Sequence, residues 1–125
     1  MPLAFVPKLE ILPPEQRLLW GELMDLAGTK VSVVQKRAEI KDYTDIDSLI
    51  TSGVDLSSAL AAAQLIYGRA FNPQISLKAL SYYGDGNLRT LPQDLKTRLL
   101  RAVREVDLAR LPVIHLPGTD TSRLK

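Results

Sequence analysis

The sequence predicts an all-α fold, a compact bundle of five or six short helices. Three observations point there. Apolar residues recur at spacings of three, four and seven along most of the chain. Between these stretches stand residues that start or stop helices: Pro13-Pro14, Asp42, Gly53, Asp55, Gly68, Asn72-Pro73 and Pro92. Strand-like signals are confined to residues 3–6 and 113–116, two short apolar pieces flanked by proline that would make at most a small ribbon.

Each element follows from its own residues. Pro13-Pro14-Glu15 opens the first helix, because proline fits the first turn and an acid there meets the positive end of the helix dipole. Leu18, Leu19, Leu23 and Leu26 then recur at helical spacing, with Trp20 to one side. At Gly28 two readings stand. Either the helix breaks and Thr29 caps a second one carrying Val31, Val34 and Ala38, or one long helix holds an internal glycine at about 1 kcal/mol relative to alanine. Asp42 is the expected N-cap of the next helix, where Tyr43, Ile46 and Ile50 follow at i, i+3 and i+7 and Gly53 closes it. Asp55 or Ser57 opens another, ended by Gly68. Residues 58–67 are apolar nearly all round, which marks a central helix whose alanines allow close approach. Asn72-Pro73 opens the next, offering Ile75, Leu77, Ala79 and Leu80 to the core. Gly84-Asp85-Gly86-Asn87 reads as a turn. Pro92 opens the last helix, with Leu95, Leu99, Ala102 and Val106 on one stripe. The whole is expected to be one helical domain over residues 1–125, with residues 1–12 an extended arm and residues 112–125 a loose tail.

Composition excludes several chemistries. The chain has no cysteine, which removes disulfides, thiolate metal sites and cysteine nucleophiles together. Its one histidine, His115, has no histidine or cysteine nearby to share a metal, and no Ser-His-Asp set is arguable from a tail position. A net charge of +2 gives no general case for nucleic acid. The longest charge-free stretch, residues 56–68, is shorter than the roughly 20 apolar residues a bilayer requires. The first residues lack a basic start followed by a sustained apolar run. A cytoplasmic protein without membrane contact is therefore expected.

One stretch carries a resemblance. Residues 25–46 contain Asp25-Leu-Ala-Gly-Thr-Lys30, then Arg37-Ala-Glu-Ile-Lys41-Asp42-Tyr-Thr-Asp45-Ile. This is similar to a "DLAxxK" run followed by "R-x-x-x-K-D-Y-x-D-I" in the abortive-infection nucleotidyltransferase toxins of the AbiEii/AbiGii type. The similarity extends over roughly residues 24–111, and Ile11-Leu-Pro-Pro-Glu-Gln-Arg-Leu-Leu-Trp20 also resembles that family's first helix. It implies that Lys30, Arg37, Lys41, Asp42 and Asp45 are inherited nucleotide-site candidates. The departure is equally clear. The family's strand-rich catalytic half, with a Gly-Gly-Thr/Ser turn for triphosphate and a strand Asp-x-Asp for metal, has no counterpart between Leu23 and Met24. Asp45-Ile46-Asp47 does spell Asp-x-Asp, but on a helix i and i+2 lie about 200° apart and cannot grip one ion. Asp42 and Asp45, at i and i+3, share a face and could hold a metal only weakly.

Each candidate also has a purely structural reading. Lys30 could be a solvated lysine beside Asp25 or Asp42. Arg37, Lys41, Asp42 and Asp45 could be an ion-pair cluster orienting a helix junction. Lys96, Arg98, Arg101 and Arg104 form a possible basic surface, interrupted by Asp94 and Glu105 and lacking an aromatic for stacking. The structural reading is preferred for each. The expected function is thus a non-catalytic helical protein resembling the toxin's C-terminal half and acting by protein contact. It would need no cofactor and is expected to form a homodimer or to bind a partner such as an antitoxin. The alternative is a helical subunit of a split nucleotidyltransferase, whose separate catalytic chain would bring magnesium and a nucleoside triphosphate.

Overall fold

Met24, Ala27 and Val31 face inward from the first helix, and this face sets the rest of the packing. The computed structural model describes residues 14–37, 39–84 and 86–113. Five α-helices follow in order: α1 (Pro14–Val33), α2 (Ile40–Thr51), α3 (Leu56–Tyr67), α4 (Pro73–Leu80) and α5 (Gln93–Glu105). Single 3-10 turns occur at Gly68–Ala70, Gly86–Thr90 and Leu108–Arg110. No strand occurs among the described residues, so the chain is an all-α bundle. The ribbon, the N-terminal arm and the tail from residue 114 onward fall outside them.

The break considered at Gly28 does not occur. α1 is one helix of 20 residues, and the Thr29 hydroxyl donates to the Asp25 carbonyl at 2.9 Å, a bond available only inside a helix. Gly28 instead marks a close crossing. A Cβ there would stand 2.9 Å from the Ala63 nitrogen and 3.1 Å from the Ala62 carbonyl carbon. This crossing corrects the leucine stripe. Met24, Ala27, Gly28 and Val31, at i, i+3, i+4 and i+7, form the face that approaches α3. Leu19 and Leu26 are left 57% and 45% exposed, and Trp20 and Leu23 lie half-buried.

α3 is the central helix. Leu56 and the run Ser58-Ala-Leu-Ala-Ala-Ala63 are buried. The Asp55 carboxylate caps it, accepting from the Ser58 backbone N–H at 3.1 Å and the Ser58 hydroxyl at 2.7 Å. Gly68 and Gly53 end α3 and α2 with φ of +61° and +111°, conformations costly to a residue with a Cβ. In α4, Asn72 caps by accepting from Gln74 N–H at 2.9 Å. Ile75, expected in the core, is exposed, and Ser76 occupies the inward position. Ser76 is satisfied there because its hydroxyl donates to the Val31 carbonyl at 2.5 Å and accepts from Gln35 Nε2 at 2.9 Å. α5 buries Leu95, Leu99 and Ala102 of its predicted stripe, whereas Val106, the fourth, is the C-cap and only partly buried.

Tyr43 ties α2 to α4. It is fully buried, donates to the Ala79 carbonyl at 2.9 Å and meets the Tyr83 ring edge-on at a centroid distance of 6.1 Å. Tyr43→Phe keeps the ring and leaves the Ala79 carbonyl without this donor. A loss of about 1 kcal/mol in urea unfolding is expected; an unchanged midpoint would show that the bond contributes nothing net.

Candidate functional site

Asp42 is the centre of the resemblance-derived group, and its position corrects an expectation. It is not the cap of α2. Glu39 holds the N-cap position with extended backbone and no side-chain bond, and Asp42 is the third helical residue. Its carboxylate points inward and is fully buried. Two cations reach it from the end of α1. Arg37, just after the turn that ends α1, donates through Nε to Oδ2 at 2.9 Å and through Nη2 to Oδ1 at 3.2 Å. Lys30, in the last turn of α1, approaches Oδ1 at 3.4 Å and pairs more closely with Asp45 Oδ2 at 2.8 Å. α2 begins earlier than expected, at Ile40, so Asp42 lies inside the first turn, where its carboxylate meets the two cations instead of capping the helix.

The electrostatics follow that geometry. The Arg37 hydrogen bond holds the Asp42 carboxyl below the usual carboxylate range, although burial opposes it. The hydrogen bond to Asp45 raises Lys30 above the ordinary lysine value, again against burial. Asp42 similarly raises Arg37. Lys30, Arg37, Asp42 and Asp45 therefore form one internally neutral network. Lys41 stands apart, exposed and with no ion pair among the described residues.

Asp45 and Asp47 diverge. Asp45 turns to α1, whereas Asp47 turns to α5 and accepts a bidentate pair from Arg98, Nε to Oδ1 and Nη2 to Oδ2, both at 2.8 Å. Asp94 joins from one turn earlier at 3.5 Å from Nη1. Asp47 raises Arg98 further above the arginine range. This pair, 51 residues apart in the chain, left no trace in the spacing of either residue.

The basic series on α5 is divided by the same contact. Arg98 is engaged by Asp47. Lys96 donates to the Arg89 carbonyl at 3.1 Å and lies 5.8 Å from the centre of the Tyr83 ring. Burial, with a smaller contribution from Tyr43, pushes the Tyr83 phenol up to about 12, so it stays a neutral donor to the Leu80 carbonyl. Arg101 and Arg104 remain exposed. Among the described residues no three acidic or histidine side chains are placed to hold a metal ion. His115 lies outside those residues. No single helix among them is long and apolar enough to cross a membrane. Comparison with known protein families, curated proteins and solved structures finds no match to this chain.

Proposed function

We propose that this chain is a non-catalytic helical protein, resembling the C-terminal half of a nucleotidyltransferase toxin, that acts in the cytoplasm by contact with another protein. The observation behind the reading is the closure of the charged network. The two cations that the resemblance would aim at phosphate, Lys30 and Arg37, are bound by Asp42 and Asp45 of the same chain. A phosphate at the face of this cluster would have to displace a carboxylate from Lys30 and from the Nε–Nη2 edge of Arg37. The outer side of α1 supports contact as the activity. Leu19 and Leu26 project at i and i+7 with half-buried Leu23 between them, one apolar stripe, and a contiguous exposed apolar patch is what marks a contact surface.

The partner in this reading is a second copy, since a two-fold pair is the simplest closed assembly for such a face. Light scattering after size exclusion at low micromolar concentration should give twice the 13.8 kDa chain mass. Leu19→Glu with Leu26→Glu should return it to one chain mass while leaving the circular dichroism helical. A wild-type mass of one chain would reject self-association. Incorporation of labelled nucleotide by the purified protein with magnesium would reject the non-catalytic reading and favour a split enzyme.

A further inference from the structure

We propose that a cleft of about 240 Å³ at the C-terminal end of α1 binds a small aromatic carboxylate, its ring beside Tyr82 and its carboxylate toward Lys36 and Arg37. This site is independent of the protein-contact reading, and Asp42 is not among its lining residues.

The floor of the cleft is apolar. Val34 and Leu88 are buried, and the ring of Tyr43 lies with Ala79, whose carbonyl already accepts the Tyr43 hydroxyl. The rim is cationic. Lys36 is exposed and makes no ion pair among the described residues. The Arg37 side chain is 51% exposed, and its Nε and Nη2 are fixed on Asp42. Its Nη1 edge remains for an acceptor, on a guanidinium whose orientation is already set, which lowers the ordering cost of binding. Among the described residues no acidic side chain lines the cleft; Asp42 and Glu39, the acidic partners of Arg37, are not part of its lining.

Tyr82 supplies the aromatic wall. It is 56% exposed, so its ring is accessible to a ligand, and it lies against Gly84. A Cβ at Gly84 would stand 2.6 Å from the Tyr82 hydroxyl and 2.8 Å from its Cζ, so the absence of a side chain there is what lets the ring rest in place. A planar apolar body with one anionic end matches this floor, wall and rim together. The volume suits a ligand smaller than a drug-sized molecule, whose pockets begin at about 300 Å³.

Benzoate is the probe. In amide-resolved NMR of the full chain, benzoate should shift Lys36, Arg37 and Tyr82 saturably, with a Kd on the order of 1 mM. Benzyl alcohol, which lacks the charge, and cyclohexanecarboxylate, which lacks the planar ring, should each bind at least about fivefold more weakly. Lys36→Glu and Tyr82→Ala alter exposed side chains, and each should weaken benzoate about tenfold in a spectrum that stays dispersed. Three results would overturn the proposal: no saturation with benzoate at about tenfold the expected Kd, equal affinity for benzyl alcohol, or tighter binding of adenosine monophosphate at the same residues. The control ligands test the wild-type protein, so the outcome does not depend on either variant folding.

Discussion

Asp42→Ala will destabilise the protein by about 3 kcal/mol at pH 7, the low end of what removing one partner of a buried ion pair costs. The low end applies because the side chains left behind can recover. Arg37 is half exposed and regains water, and Lys30 keeps its 2.8 Å partner Asp45. What is lost is the fully buried carboxylate that joins the end of α1 to the first turn of α2, together with the space it fills. Asp45→Ala is the internal control. That side chain is 38% exposed, and its removal should cost less than about 1 kcal/mol, as for other surface pairs.

The pH dependence separates the Asp42 charge from its volume. Because the folded-state value of Asp42 lies below the ordinary 3.8, its stabilisation is complete above that value and is lost as pH falls through the lower folded value. Lys30 has the opposite sign. Its folded value lies above 10.5, so its contribution is complete below 10.5 and is lost as pH rises through the higher folded value. Between roughly pH 4 and 10 the network should therefore contribute a constant stability. Urea unfolding of wild type and Asp42→Ala should differ most across that plateau and converge toward pH 2. An equally large difference at pH 2 and pH 7 would mean that Asp42 matters for its size alone.

Local signals were legible and distant ones were not. The cap at Asn72 and the stop at Gly53 could be read, and the cap of α3 narrowed to Asp55 or Ser57, because each acts within a few residues of itself. The stripe on α5 and the all-round apolar α3 were legible for the same reason, being periodic within one helix. α1 misled because four leucines outnumber Met24, Ala27 and Val31 in apolar surface. The inward face was decided by the close approach to Ala62 and Ala63, some 35 residues later in the chain. At the candidate site, an aspartate ahead of a periodic run signals a cap, and Asp42 has that signal. That an ion-pair cluster forms at this junction was also readable from the charges nearby, but the burial of Asp42, and the place of Lys30 rather than Lys41 in the cluster, were not. Asp47 with Arg98 was not, since neither residue carries any local mark of a partner on another helix.

Gly28→Ala will destabilise the fold by about 2 kcal/mol, the reverse of what helix propensity alone demands. In an open helix this change gains about 1 kcal/mol, because alanine loses less backbone entropy than glycine. Here the added methyl would lie 2.9 Å from the Ala63 nitrogen and 3.1 Å from the Ala62 carbonyl carbon, both backbone atoms of the central helix. The third neighbour, Ile66 Cδ1 at 3.1 Å, can rotate away, but the backbone of α3 cannot. Relief requires α1 and α3 to separate by a few tenths of an ångström along the seam that holds Met24, Ala27 and Val31, and overpacking of this kind costs about 1–3 kcal/mol. Gly28→Val enlarges the same clash and adds a β-branched side chain to the helix, so a loss of about 3–4 kcal/mol is expected. Urea unfolding with an unchanged denaturant slope would place both effects in the folded state. A Gly28→Ala protein more stable than wild type would show that propensity outweighs the contact and that α1 can shift off α3 at little cost.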